Sequence, residues 1–268
     1  MCLLFMALRA HPDYPLVVAA NRDEFYARPT RPSEFWVDHP ELLAGRDLQS
    51  GGTWMGITRG GRFAALTNHR DPARVRPSAP SRGALVADYL SGHDAPIDYQ
   101  NKLAASAAAH NAYNLLYGSA VQMRYFANTG APPHELAAGV YGLSNDMLDT
   151  PWPKVVKGKS RLAQALHALP STEAMFELLR DDHIAPDEHL PRTGVSLDWE
   201  RLLSAAFVQS PDYGTRSCTV LLVAADGRVS WEERRFGPAA QPDGTSCVSF
   251  SLAPGSLAAR QPVRGNDT

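Results

Sequence analysis

The sequence predicts an α+β protein in which two antiparallel sheets are flanked by helices. Three observations lead there. Cys2–Arg9 is apolar on both alternating faces, with Cys2, Leu4, Met6 and Leu8 on one and Leu3, Phe5 and Ala7 on the other. That is the pattern of a central strand covered on both sides. Ser217–Ala224 and Val229–Phe236 bracket Asp226-Gly227 and form the clearest hairpin signature in the chain. Between the strand-rich ends the spacing turns helical from Trp152, with Val155, Lys159, Leu162, Leu166 and Leu169 along the same side. Strands at both ends with helices between ask for packed layers, not an open hairpin.

The other elements follow in order. Leu16–Asn21 is a strand joined to the first across His11–Pro15, whose prolines suit a turn. Arg22–Pro40 is polar and proline-rich and is expected to be an ordered loop. Gly51-Gly52 leads into Thr53–Thr58, and past Gly60-Gly61 comes Phe63–Thr67, a second hairpin. Ser81 is placed to cap a helix through Leu90 whose apolar stripe is Leu85, Val86, Tyr89 and Leu90. A helix over Tyr99–Ala109, strands over Asn114–Gly118, Gln122–Ala127 and Gly139–Leu143, and helices over Ser171–Leu179 and Asp198–Ala206 complete the count. Residues 1–236 read as one domain. Residues 237–268, rich in Gly, Pro, Ala and Ser, read as a poorly ordered tail.

Composition removes several function classes. Lys+Arg 26 against Asp+Glu 28, a net charge of −2, gives no electrostatic steering toward nucleic acid. The longest apolar runs, Leu16–Ala20 and Val220–Ala225, fall far short of the roughly 18 residues that span a bilayer, and Cys2–Met6 lacks the length and basic flank of a signal peptide. Cys2, Cys218 and Cys247 form no C-x-x-C pair, which fits a reducing compartment and a cytoplasmic protein. Without H-E-x-x-H, G-x-S-x-G or a P-loop, no metal site or resident cofactor is expected.

The chemistry centres on the N-terminus. If Met1 is removed, Cys2 carries a thiol and an α-amine on one residue, nucleophile beside base, and a nearby guanidinium would favour the thiolate. Cys2 as a small buried apolar residue is the other reading. Asn21-Arg22-Asp23-Glu24 ends the next apolar run, and on a regular strand Asn21 and Asp23 point one way and Arg22 and Glu24 the other. Of the adjacent pair, Asp23 is expected to face Cys2. Asn68 and Asn145 each follow an apolar run, where a side-chain amide can donate to an oxyanion or simply turn the chain. Arg216 precedes a strongly apolar strand, as an anion clamp or a turn charge.

Met1-Cys2 with Ala20-Asn-Arg-Asp-Glu-Phe-Tyr-Ala-Arg-Pro29 resembles the signature of the NRDE family, relatives of transport and Golgi organisation protein 2. The likeness continues in Gly45-Arg-Asp47, Gly51-Gly-Thr-Trp-Met-Gly56, Leu66-Thr-Asn-His-Arg70, Tyr141-Gly-Leu-Ser-Asn145 and Tyr213-Gly-Thr-Arg-Ser217, covering about residues 1–236. That family is grouped with N-terminal-nucleophile hydrolases, which implies a four-layer αββα sandwich. A more distant likeness to choloylglycine hydrolases and penicillin V acylase implies amide hydrolysis by Cys2. Asp23 would then orient its amine, Arg22 support the thiolate, Asn68 and Asn145 line the oxyanion site, and Arg216 anchor the pocket. Arg22 and Asp23 are adjacent here, whereas the acylases separate the corresponding pair. Asn21, Trp54 and His69 would contact a small-molecule substrate. The family's eukaryotic members are also linked to haem handling and lipid metabolism, so the resemblance equally implies a carrier in which Cys2 ligates haem iron.

Overall fold

A computed structural model describes residues 2–258. The removal of Met1 and residues 259–268 of the expected tail lie outside the described residues.

Thirteen strands form two antiparallel sheets among the described residues. The first sheet contains β1 (Cys2–Leu8), β2 (Leu16–Phe25), β10 (Gly139–Leu143), β11 (Tyr213–Val223), β12 (Arg228–Phe236) and β13 (Pro242–Ser251), in the order β10-β1-β2-β11-β12-β13. The second runs in chain order: β3 (Thr30–Phe35), β4 (Leu42–Asp47), β5 (Met55–Thr58), β6 (Phe63–Asn68), β7 (Tyr113–Gly118), β8 (Met123–Ala127) and β9 (His134–Glu135). Helices α1 (Arg82–Ser91) and α2 (Pro96–Ser106) cover the second sheet. Helices α3 (Pro153–Ala165) and α4 (Glu173–Leu179) cover the first, and α5 (Leu197–Leu202) lies beside them in sequence.

The two-sided apolar pattern of β1 explains the layering. Leu4, Met6 and Leu8 join Val18, Leu221, Leu43, Ile57 and Leu116 in a core between the sheets. Leu3, Phe5 and Ala7 pack outward with Val17, Ala19 and Val220 against Val155, Leu162, Phe176 and Leu179. A third core sets Leu85, Val86, Tyr89, Tyr99 and Leu103 against Leu115, Tyr117 and Phe126. The result is the four-layer αββα sandwich. Gly158 lets α3 settle on β1, since a Cβ there would meet Phe5 Cζ at 2.0 Å.

Three expectations are corrected. Arg22–Pro40 is not a loop: β2 runs on through Phe25 because β11 is long enough to pair it there, and β3 follows. Only Ser33 of β3 is buried, so it lacks the apolar alternation that marks a strand. Part of the loose tail is β13, an edge strand on β12 whose Val248 and Phe250 pack on the inter-sheet core. Ser81 holds the N-cap position of α1, but its hydroxyl makes no capping hydrogen bond.

Candidate active site

Backbone register builds the site. β1 and β2 pair from Cys2↔Arg22 to Leu8↔Leu16, so Cys2 sits at the end of a central strand directly opposite Arg22. By alternation both continue the Leu4 and Ala20 face, toward the space between the sheets. On the other side of β2, β11 carries a bulge between Thr215 and Ser217, which pair with Asp23 and Arg22. Arg216 is the extra residue of that bulge. Its Nη1 donates to the carbonyl oxygens of Phe25 and Arg28, both at 3.0 Å.

Cys2, Arg22, Asp23, Trp54, Asn68 and Arg216 line one cavity of about 640 Å³. Glu24, Arg28, Asp47 and Arg82 line it as well. Arg22 is buried, its Nη2 4.0 Å from both Glu24 Oε2 and Asp47 Oδ2, and its Nη1 has no hydrogen-bond partner. Arg28 makes the tight ion pair of the group, Nε to Asp47 Oδ2 at 2.6 Å.

The register gives Arg22, not Asp23, the side-chain face of Cys2, yet Asp23 lines the same cavity and its charge acts on the Cys2 thiol. Arg22 shares the Cys2 face. Asp23 turns to the opposite, helix-covered face, where Thr215 Oγ1 donates to its Oδ1 at 2.7 Å. Burial raises the Asp23 pKa, opposed first by the N-terminal charge and then by Lys154, the Thr215 hydrogen bond and Arg70. Lys154, on the first turn of α3, is itself buried and donates to the carbonyl oxygens of Leu203 (2.8 Å) and Ala205 (3.3 Å). Burial pulls its pKa down to about 8, with Asp23 acting against the shift. Beyond it Arg70 Nη1 pairs with Glu200 Oε2 at 2.8 Å, both side chains almost wholly buried. A line of buried charges therefore backs the end of β1.

The Cys2 thiol is pushed up to about 11, chiefly by burial, with Asp23 adding to the shift and Arg22 opposing it. In this form it is protonated at neutral pH, so nucleophilic chemistry needs a base brought close.

Three expected site residues lie off the cavity. Asn21 faces the helix layer, where its Nδ2 donates to Leu179 O (2.7 Å) and Ala206 O (2.8 Å), and it does not line the cavity. Asn145 does not line the cavity: its Nδ2 donates to Asn68 O at 2.8 Å, and its own carbonyl accepts from Arg70 N at 2.7 Å. It holds Asn68 in place and is not placed as an oxyanion donor. His69 also lies off the cavity, its Nδ1 3.9 Å from Asp146 Oδ1. Arg216 does line the cavity, and its bonds run to backbone carbonyls.

Sequence reasoning missed Arg82, Lys154 and the Arg70–Glu200 pair. Only Arg82 left a signal, standing directly after Ser81 at the start of a legible helix. Gly52 brings that helix start close, since a Cβ there would lie 2.5 Å from the Gly83 carbonyl carbon. Among the described residues no group of three His, Cys, Asp or Glu side chains could hold a metal ion, and no helix is long and apolar enough to cross a membrane.

Fold and site together define a double-sheet α+β protein whose cysteine, at the edge of a polar cavity, faces an arginine. The chain belongs to the Transport and Golgi organisation 2 family, the NRDE family expected from its motifs, whose model matches residues 1–238. It is 38% identical over 258 residues to the transport and Golgi organization protein 2 homolog of Bos taurus, covering 87% of this chain and 92% of that protein. The Homo sapiens homolog is 36% identical over 256 residues with the same coverage. Among solved structures, a Caenorhabditis elegans ortholog of N-acylethanolamine-hydrolyzing acid amidase aligns at TM-score 0.48 and 10% identity, over 82% of this chain and 92% of its own. A mutant conjugated bile acid hydrolase from Clostridium perfringens aligns at 0.45 and 8%, over 93% and 92%.

Proposed function

We propose that the chain is a cysteine N-terminal-nucleophile amidohydrolase acting on a small amide or acyl substrate. The observation that carries this reading is the Cys2↔Arg22 pairing at the rim of the 640 Å³ cavity, with Asp23 turned behind it. Removal of Met1 converts the Cys2 nitrogen from an amide into an amine of pKa about 8, a base on the same residue as the thiol. The amine takes the thiol proton, and the thiolate attacks the substrate carbonyl. Asn68, held by Asn145, supplies an amide for the oxyanion. The ammonium returns its proton to the leaving amine, and water then cleaves the thioester and regenerates Cys2. Asp23 anchors the new ammonium, Thr215 and Lys154 fix Asp23, and Arg22 stabilises the thiolate.

The carrier reading places haem or an acylated lipid in the same cavity. A haem thiolate ligand needs an ionised Cys2, and a macrocycle needs an apolar slot. Arginines and carboxylates dominate the walls around Cys2, so these residues do not suit the macrocycle.

Intact-mass measurement of the purified chain tests the first step. The expected mass lacks one methionine, whereas full retention of Met1 removes the amine base and with it this mechanism. A Soret shift on haem titration that vanishes in Cys2→Ala would favour the carrier.

A further inference from the structure

The cavity holds more positive charge than its own carboxylates neutralise. Arg28 is matched by Asp47 at 2.6 Å, and Arg235 lies 3.6 Å from Glu233. Among the described residues Arg82 and Arg216 have no carboxylate within 4.0 Å. Arg82 Nη1 donates to Ala112 O at 2.9 Å, and Arg216 Nη1 serves the carbonyls of Phe25 and Arg28. Carbonyl acceptors orient a guanidinium without cancelling its charge. Arg22, more than nine-tenths buried, turns Nη2 toward two distant carboxylates and keeps Nη1 without a partner. Buried donors are normally satisfied, and an exception calls for a missing acceptor.

A second feature points the same way. Ser81, Arg82 and Gly83, the start of the ten-residue helix α1, line this cavity, and Ser81 leaves the first turn uncapped. The N–H groups of that turn carry the positive end of the helix dipole, which favours an anion. Arg82 lies within electrostatic reach of Cys2 and Glu24, and Arg216 within reach of Arg22, Glu24 and Asp243, so the three guanidiniums share one end of the cavity with Glu24 as their common carboxylate.

We propose that Arg22, Arg82 and Arg216, with the uncapped start of α1, form a subsite for an anionic oxygen group, a carboxylate or a phosphate, on the molecule whose carbonyl is offered to Cys2. The link to a reacting carbonyl rests on the amidohydrolase reading; the anion subsite does not. Arg22 Nη1 bridges the two, beside the thiol and free to bond the anion.

Titration calorimetry on the Cys2→Ala protein tests the subsite without turnover, using N-acetylglycine, its neutral amide N-acetylglycinamide, and inorganic phosphate. An anion saturates one site and the neutral amide binds about tenfold more weakly or worse. Whichever anion binds tighter identifies the group as carboxylate or phosphate. Arg82→Gln weakens the anion by about tenfold with no change for the neutral amide, and Arg82→Lys, which keeps the charge, recovers most of the loss. Equal binding of the neutral and charged amides, no binding of either anion, or anion binding indifferent to Arg82→Gln overturns the subsite. Anion binding without any Cys2 acylation in the wild type would strike the amidohydrolase reading alone. Acylation with no preference for a charged amide would strike this inference alone.

Discussion

Cys2 stands directly across the β1–β2 ladder from Arg22, while Asp23, the next residue, turns its carboxylate to the opposite face and to Thr215. One regular strand thus serves two sides. Arg22 addresses the thiol and the cavity, and Asp23 joins the buried charges of the helix layer. The adjacency of the two residues is resolved by strand alternation, and the bulge lies on β11, where it projects Arg216.

Thiol titration separates the two forms of the N-terminus. In a Cys247→Ser background, which removes the exposed thiol, Cys2 of a chain retaining Met1 titrates near 11. Its alkylation by iodoacetamide should therefore still accelerate as pH rises past 10 (about one unit below that pKa). A chain that begins at Cys2 should reach half its maximal rate below pH ~9, because the neighbouring ammonium favours the thiolate. Identical profiles would mean that the amine does not reach the thiol.

Lys154 predicts a pH-dependent stability. Its folded pKa of about 8 lies below the ordinary 10.5, so between these values the unfolded chain binds more protons than the folded one. Stability should rise with pH across that window and fall again as pH drops through 8. Two to three pKa units correspond to about 3 kcal/mol. Chemical denaturation of the wild type and of Lys154→Met from pH 7 to 10.5 checks this: the wild type should gain on the variant as pH rises. Parallel curves would show that Lys154 is not held as a buried charge.

Asn21 is a structural tie between β2 and the ends of two helix-layer segments. Asn21→Ala leaves the carbonyls of Leu179 and Ala206 without a donor, and should lower stability by about 2–4 kcal/mol in urea denaturation. Its KM toward any substrate should stay unchanged. A raised KM at full stability would return Asn21 to the binding site.

Gly158 and Phe5 set the spacing of α3 on β1. Gly158→Ala should cost roughly 1–3 kcal/mol in thermal or urea unfolding, and Phe5→Leu in the same chain should restore part of it by vacating the ring. Additive losses in the double variant would contradict the contact.

Much of this was legible in the residues. β1 announced itself because both of its faces are apolar, and the β11–β12 hairpin because Asp226-Gly227 sits between apolar runs. β3 and β13 did not, since they lie at sheet edges with few inward residues and are strands by virtue of their neighbours. Cys2, Arg22, Asn68 and Arg216 could be gathered from their places at the ends of apolar strands, and Trp54 from the family motif alone. Asn21, Asn145 and His69 carried the same local signal. Only the tertiary partners reveal that Asn21 ties helices and Asn145 holds Asn68. Lys154 and the Arg70–Glu200 pair depend on contacts across more than a hundred residues of chain for the salt bridge, and no local pattern encodes them.

The central claim is that Cys2 is a nucleophile released by loss of Met1. Intact-mass spectrometry after incubation with an electrophilic acyl probe tests it most directly, run on the Cys247→Ser chain and on the same chain carrying Cys2→Ala. The account predicts a single acyl adduct on a chain that lacks Met1, mapping to Cys2 and missing from the Cys2→Ala protein. An adduct of equal yield in the Cys2→Ala protein would contradict it.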